Sequence, residues 1–223
     1  MKVIITTSDN YHKALRIFLH LFEKYWPEKV SIEIVGYKKP DFEIVNNNKV
    51  KSNFVSLGTQ KTVHHFSDDL KPYFSQQDEF FIWFFDDSFI IKRVDLDLLN
   101  IAKHLMIIPG VVKINLTNES YVQIHSLLYK QKEYKILETS PFAKYRLSTQ
   151  PSIWRRDFLI NNLKTGLSPW AFEKQNCYDY GRILGLNENI VQVGEGMRKG
   201  NDNVMTDFLY DSDVQELSKL GLI

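Results

Sequence analysis

The sequence predicts an α/β fold, a single domain with a mostly parallel central sheet flanked by helices. In the first half of the chain, short runs rich in Val, Ile and Phe alternate with stretches whose apolar residues recur at helical spacing. Polar turns directly follow two of those runs. The chain has 223 residues, of which 43% are hydrophobic, enough for one sizeable core.

The predicted elements begin with a strand at residues 2–7, whose polar end can cap the helix that follows. Apolar residues from Leu15 to Tyr25 then recur at helical spacing until Pro27 ends the pattern. Pro40 and three consecutive Asn residues predict a loop at 38–51. Further strands are predicted at 30–37, 53–57, 79–85, 111–116 and 134–137, and further helices at 62–74, 153–163 and 170–177.

Composition excludes several classes of function. The formal net charge of +1 provides no overall field that would attract nucleic acid, so no nucleic-acid partner is expected. Cys177 is the only cysteine, which excludes an intrachain disulfide and a cysteine-rich zinc site and fits a reducing, cytoplasmic location. The most apolar stretch, residues 80–91, is too short and too acidic for a transmembrane segment. Nothing in the sequence indicates an oligomeric state.

Two adjacent carboxylates, Asp86 and Asp87, follow six large apolar residues at the end of a predicted central strand. Open α/β sheets bind ligands outside the carboxyl ends of their strands. Mg²⁺ and Mn²⁺ prefer carboxylate oxygens and complete their coordination with phosphate and water. The pair therefore predicts a divalent-cation site, although the two side chains could instead cap the turn or be solvated.

Several segments, in order along nearly the whole chain, resemble GT-A glycosyltransferases of small bacterial or viral type. These segments are IITTSDNYHKAL with KYWP, then FVSLG, FSDDL and FFDDSFIIKRVD, and further on STQPSIWRRDFL, LSPWAFEKQ and EGMRKGN. The resemblance implies a single GT-A-like domain, in which 1–95 binds a nucleotide-sugar and 96–223 faces the acceptor. It also implies a nucleotide-diphosphate sugar donor, such as a UDP-sugar, a Mn²⁺ or Mg²⁺ ion, and a saccharide or glycan acceptor.

The same resemblance implies the residues of the site. Asp86 and Asp87 would bind the metal and diphosphate, Glu173 would be the catalytic base, and the acceptor would contact Gln150, Trp154 and Trp170. Donor contacts would come from Thr6, Thr7, Ser8, Asp9, Tyr11, Gly58, Asp69, Arg198 and Lys199. The chain departs from the family in lacking a full DxD motif and a C-terminal His, since its last His is His125. Metal-independent action therefore stays open.

Some of these residues have a second interpretation. Glu173 lies three residues after Trp170, so on a helix the two share one face and could serve an acceptor as base and stacking ring. Alternatively, Ser168 caps this helix, Pro169 is its first residue and Glu173 favours its positive end. Arg198 and Lys199 lie between two glycines and suit a loop that closes on phosphate.

The sequence is also compatible with two other functions. The incomplete acidic motif also fits a catalytically inactive domain that binds a nucleotide-sugar. A nucleotidyltransferase would share the sheet and the metal-binding carboxylates, but the N-terminus has no glycine-rich phosphate loop with a lysine. Whether transfer inverts or retains configuration is not determined by the sequence.

Overall fold

A computed structural model describes residues 1–118, 122–177, 181–195, 198–199, 203–204 and 207–223. It confirms the α/β class. The strands are β1 Lys2–Thr6, β2 Val30–Gly36, β3 Val50–Ser56, β4 Phe80–Phe85, β5 Ser88–Ile90, β6 Val111–Asn115, β7 Val122–Tyr129, β8 Lys132–Glu138, β9 Ser152–Arg155, β10 Arg182–Leu186, β11 Val193–Glu195, β12 Arg198–Lys199 and β13 Asn203–Val204. The helices are α1 His12–Tyr25, α2 Phe66–Phe74, α3 Leu96–Leu105, α4 Arg156–Asn162, α5 Pro169–Lys174 and α6 Asp211–Lys219.

The main sheet is mixed, and the prediction that it is mostly parallel was wrong. Among the described residues it has nine strands in the order β3-β2-β1-β4-β9-β6-β10-β8-β7. The β1–β2, β2–β3 and β6–β10 pairs are parallel, whereas β4–β9, β6–β9, β10–β8 and β7–β8 are antiparallel. The sheet is mixed because β9 runs antiparallel between β4 and β6, and because β7 and β8 form an antiparallel hairpin.

The predicted helix at 153–163 begins three residues later than expected. Residues 152–155 form β9, and α4 starts at Arg156. Ile153 and Trp154 are flanked by β4 and β6, and both side chains are fully buried. A strand of four residues is too short for its periodicity to differ clearly from that of the first turn of a helix. Pairing with both neighbours therefore decided its conformation. The helix predicted at 170–177 ends earlier, at Lys174.

The chain divides into two compact units, each made of several segments. Unit 1 comprises Met1–Gln60, Phe84–Val94 and Val191–Ile223, and unit 2 comprises Lys61–Trp83 and Asp95–Ile190. The single-domain assignment with halves at 1–95 and 96–223 stays a prediction. No helix in the described part of the chain has the length and apolar character needed to span a membrane.

The core of unit 1 is aromatic. The ring centroids of Phe18 and Phe22, both on α1, lie 5.7 and 6.1 Å from the ring centroid of Phe84. The Phe22 ring also stacks on that of Trp26, with 4.8 Å between the centroids. Phe18 and Phe22 recur at helical spacing on α1, which explains why the sequence predicted that helix correctly. Phe84 is the second-last residue of β4, two residues before Asp86, so this packing helps to fix the end of the strand.

In unit 2 the core is also aromatic, and Trp154 lies at its centre. Its ring is 5.8 Å from that of Trp83 and 6.3 Å from that of Phe172. The ammonium of the fully buried Lys113, on β6, lies 4.5 Å from the centroid of the Trp154 ring, a cation–π distance. Lys113 also donates a hydrogen bond to the Ser148 carbonyl at 2.6 Å.

A network of charged and polar groups attaches α6 to α1 within unit 1. The carboxylate of Asp213 is fully buried and accepts hydrogen bonds from the Tyr25 hydroxyl, at 2.8 Å to each oxygen, and from Lys24 Nζ at 2.7 Å. Lys24 also pairs with Glu216, whose other oxygen lies 3.0 Å from His20 Nε2. Charge-assisted bonds to a buried carboxylate are the stronger kind of hydrogen bond, so they anchor the C-terminal helix.

This network predicts a loss of stability at alkaline pH. Burial, together with the hydrogen bond to Asp213, raises the pKa of Tyr25 to about 12. A pKa raised on folding stabilises the protein below the pKa of the unfolded chain, roughly 10, and that contribution is lost as the pH rises towards the folded value. We expect Tyr25→Phe to lower the free energy of unfolding at pH 8 by about 1–2 kcal/mol and to flatten its decline between pH 10 and 12.

Urea unfolding at pH 8, 10 and 11 measures this effect, with Tyr129→Phe as the control because that side chain is partly exposed and belongs to unit 2. Equal pH slopes in the wild type and Tyr25→Phe would show that another group governs the alkaline transition.

The hydrogen bond from Lys24 lowers the pKa of Glu216. Hydrogen bonds to Asp213 and Glu216 outweigh burial and raise the pKa of Lys24.

Candidate functional site

Two of the predicted site residues, Thr7 and Asp86, are hydrogen-bonded to each other in unit 1. The Thr7 hydroxyl donates to Asp86 Oδ2 at 2.6 Å, and the backbone N–H of Asp86 donates to the Thr6 carbonyl at 3.2 Å. Asp86 is only 1% exposed, so its carboxylate requires such a donor. The two polar turns that the sequence placed after separate strands therefore meet at the ends of β1 and β4.

Asp87 occupies the same turn, between β4 and β5, and is partly exposed. The strand after it is held in place, since β5 pairs antiparallel with β11. The two aspartates consequently differ in character. Asp86 is buried and accepts a hydrogen bond from Thr7, whereas Asp87 is partly exposed and accessible to a ligand.

The donor set partly fits a divalent cation. Within the described residues, no three His, Cys, Asp or Glu side chains come together in a way that could hold an ion. Mg²⁺ in nucleotide sites is commonly bound by one or two carboxylates, with the remaining ligands supplied by phosphate and water. Asp87 would then be the main protein ligand and Asp86 the second, so tight binding would require the diphosphate.

The segment after β1 is organised by Asp9. Its carboxylate accepts a hydrogen bond from the Lys38 N–H at 2.9 Å, and its own N–H donates to Gln60 Oε1 at 3.2 Å. The Tyr11 N–H donates to the Ser8 carbonyl at 2.9 Å and closes a turn just before α1. Ser8 and Tyr11 are both partly exposed. Asp9 thus stabilises the loops around the predicted nucleoside contacts.

Gly36, at the end of β2, leaves room for Thr7. A Cβ at this position would lie 2.8 Å from Thr7 Cγ2 and 3.2 Å from the Thr7 carbonyl oxygen. We expect Gly36→Ala to displace Thr7 and to lower the free energy of unfolding by about 1–3 kcal/mol, as overpacking does. Thr7→Ser keeps the hydroxyl and removes the obstructing methyl.

The double variant Gly36→Ala/Thr7→Ser provides the matched test, measured by urea unfolding. Rescue is expected, so that the double variant is more stable than the sum of the single changes allows. Strict additivity of the two losses would show that the alanine methyl acts on another neighbour.

The other residues predicted to contact the donor lie in three further segments of the chain. Gly58 follows β3 with φ +89°, a left-handed conformation that favours glycine. Asp69 lies in the first turn of α2, in unit 2, where a carboxylate favours the positive end of the helix. Arg198 and Lys199 form β12, which pairs with β13. The side chains of Arg198 and Lys199 lie outside the described residues.

In unit 2, Glu173 is held by Thr149. Its Oε1 accepts hydrogen bonds from the Thr149 backbone N–H at 2.7 Å and from the Thr149 hydroxyl at 2.5 Å. Among the described residues, no hydrogen bond reaches Oε2. Helix α5 has the predicted start, since the Ser168 hydroxyl accepts from the Ala171 N–H at 3.2 Å and Pro169 follows it. The predicted cap is therefore confirmed, whereas Glu173 lies beyond the first turn of α5. A catalytic role for Glu173 stays a prediction.

The three predicted acceptor residues differ in accessibility. Trp170 is 61% exposed on α5, three residues before Glu173. Gln150 directly follows Thr149, and its N–H donates to the Ser148 hydroxyl at 3.3 Å. Trp154 lies in the core with no exposed surface, so we leave it out of the proposed site.

Sequence reasoning missed Thr149 and Lys113. Thr149 lies in the segment STQPS, which the resemblance covered, but nothing local indicates that it binds a carboxylate 24 residues later. Lys113 lies in the predicted strand 111–116, where a lysine suggests a solvent-facing position; only the tertiary structure shows that it is buried. No protein-family model matches this sequence, and no curated protein matches it either.

Proposed function

We propose that this chain is a glycosyltransferase that moves a monosaccharide from a nucleotide-diphosphate sugar to a hydroxyl of a saccharide or glycan, assisted by a divalent cation. The observation that carries the proposal is the hydrogen bond between Thr7 and Asp86. It joins the ends of two strands and places Asp87 beside them, in the part of an α/β sheet that characteristically binds ligands.

Donor binding is assigned to unit 1. Asp87 would be the main protein ligand of the cation, which also binds the diphosphate, and Asp86, oriented by Thr7, would be the second protein ligand. A cation bound there neutralises the charge that develops on the departing diphosphate. The partly exposed Ser8 and Tyr11 would contact the nucleoside. A UDP-sugar and a Mn²⁺ ion are the first donor and metal to test.

Acceptor activation is assigned to Glu173 in unit 2. For an inverting reaction, the acceptor oxygen forms a bond to the anomeric carbon while the bond from that carbon to the diphosphate oxygen breaks. The bonding electron pair leaves with the diphosphate, and the hydroxyl proton passes to Glu173 Oε2. Thr149 donates two hydrogen bonds to Oε1 and so fixes the orientation of the carboxylate. A general base requires such positioning.

The test is a thermal-shift and calorimetric screen of the purified chain against UDP, GDP, CDP and their sugar derivatives, with Mn²⁺ or with EDTA. A ligand at 100 times its Kd stabilises a protein by about 2.7 kcal/mol, which is a Tm rise of roughly 5–11 °C at this size. We expect one nucleotide to give this shift with Mn²⁺ and a smaller one with EDTA. If no nucleotide stabilises the chain under either condition, the donor-site assignment is wrong.

The bonds between Glu173 and Thr149 also favour a second candidate, a domain that binds a nucleotide-sugar without catalysis. In that case Glu173 would serve only to hold the segment around Thr149. The candidate predicts donor binding in the screen with no turnover of the bound nucleotide-sugar.

A further inference from the structure

Tyr145 has an unusual backbone conformation for an aromatic residue. In the described part of the chain, the non-glycine residues with positive φ are Lys130, Gln131 and Tyr145, at 47°, 66° and 59°. Lys130 and Gln131 form the two-residue turn between β7 and β8, where positive φ at both positions matches the twist of a hairpin. Tyr145 lies in a turn at 144–147 that does not join two strands. Positive φ is rare for a bulky aromatic residue, so the backbone at Tyr145 is strained, and such strain often marks a functional segment.

The strain persists because the surrounding segment is held at several points. The Ser148 N–H donates to the Tyr145 carbonyl at 2.8 Å. The Ser148 carbonyl in turn accepts from buried Lys113 at 2.6 Å. The next residue, Thr149, binds Glu173 through two hydrogen bonds. Arg146 is buried and donates to the Gly181 carbonyl.

Packing of the Tyr145 ring does not account for this arrangement. The residue is 42% exposed, and Phe142, three residues earlier, is 83% exposed. The ammonium of Lys144 lies 5.2 Å from the centroid of the Tyr145 ring. A buried charge and a strained backbone are thus used to hold a segment whose aromatic rings remain accessible, an arrangement typical of a binding segment rather than of a core.

We propose that Tyr145 is a saccharide-binding residue, whose ring packs against the C–H face of a sugar. An aromatic ring presents a rigid apolar surface with a polar edge, which suits a ligand with one apolar face and a rim of hydroxyls. As an acceptor contact the proposal rests on the proposed function, because Thr149 links the Tyr145 segment to the base Glu173. Lys113 and Thr149 are then positioning residues that fix the segment.

The experiment is saturation-transfer NMR on the full chain with glucose, galactose, N-acetylglucosamine and lactose, each titrated separately. Tyr145→Asn removes the ring and keeps a residue that tolerates left-handed backbone, whereas Tyr145→Phe keeps the ring. We expect transfer to the C–H protons of at least one sugar in the wild type and in Tyr145→Phe. Apparent affinity should fall at least about tenfold in Tyr145→Asn.

Thermal unfolding of the same variants separates binding from packing. If the ring serves a ligand, Tyr145→Asn leaves the Tm unchanged or raised, since backbone strain is relieved. A Tm lowered by more than about 4 °C would overturn the proposal, because an effect of that size indicates a packing role. It is also overturned if no sugar in the panel gives transfer, or if Tyr145→Asn binds as the wild type does.

The outcomes also distinguish this inference from the proposed function. Metal-dependent nucleotide binding without sugar contact at Tyr145 leaves the transferase proposal standing and removes this one. Sugar binding that depends on Tyr145, in a chain that binds no nucleotide, supports a saccharide-binding segment and contradicts the transferase.

Discussion

Replacing Asp87 by Asn is expected to weaken Mn²⁺-dependent binding of the nucleotide about 100-fold and to leave the fold intact. Asp87 is the partly exposed carboxylate of the turn between β4 and β5. An amide has nearly the same shape but no charge, and hard divalent cations prefer carboxylate oxygen. Since Asp87 has accessible surface, the substitution should change the Tm of the free protein by less than about 2 °C.

Isothermal calorimetry with the nucleotide found in the screen, in Mn²⁺ and in EDTA, measures the effect. Asp41→Asn is the matched control, because it makes the same charge change at an exposed position of unit 1. We expect Mn²⁺-dependent affinity to fall in Asp87→Asn and to be unchanged in Asp41→Asn. Equal affinities of Asp87→Asn and the wild type in Mn²⁺ would show that Asp87 binds no cation.

Glu173→Gln is expected to lower the rate of sugar transfer by about 10²–10⁴, the usual contribution of a general base. Gln keeps the carbonyl oxygen that accepts the hydrogen bonds from Thr149, so the geometry of the segment should be retained. The second oxygen is replaced by an NH₂ group, which cannot accept a proton. Donor affinity should stay within about twofold, since the residue is assigned to the acceptor.

Release of nucleoside diphosphate from the nucleotide-sugar, with and without added saccharide, measures the rate. Thr149→Val serves as the comparison, because it removes one hydrogen bond to Glu173 and keeps the carboxylate; its rate should fall less than that of Glu173→Gln. If Glu173→Gln transfers sugar as fast as the wild type, the base lies elsewhere. A wild-type protein that binds the donor and never turns it over supports the binding-domain candidate.

Sequence patterns predicted the parts of the fold that depend on local periodicity. Helix α1 and strands β1, β2 and β4 were located to within a few residues, because their buried positions recur at 3.6 or follow a continuous apolar run. Strand β9 was mistaken for the start of a helix, since a segment of four residues fits either pattern. Strand β8 was predicted only at 134–137, and strand β7 and helices α3 and α6 were not predicted.

In the candidate site, the sequence predicted individual residues but not the partners that hold them. Adjacent aspartates after an apolar strand were found from the sequence alone, as was the Ser168-Pro169 start of α5. Their partners were not, because Thr7 is 79 residues from Asp86 and Thr149 is 24 residues from Glu173. Hydrogen bonds over such separations are set by strand order, which no local pattern encodes.

Composition and periodicity were enough to predict the α/β class, the aromatic cores and the chemical types of the candidate residues. The structure was needed to show that the sheet is mixed, that Asp86 is buried and that Asp87 is partly exposed. It was also needed to show that Lys113 is in the core and that the backbone of Tyr145 is strained. Burial, strand pairing and backbone strain depend on segments distant in sequence, whose free energies are fixed when they pack together.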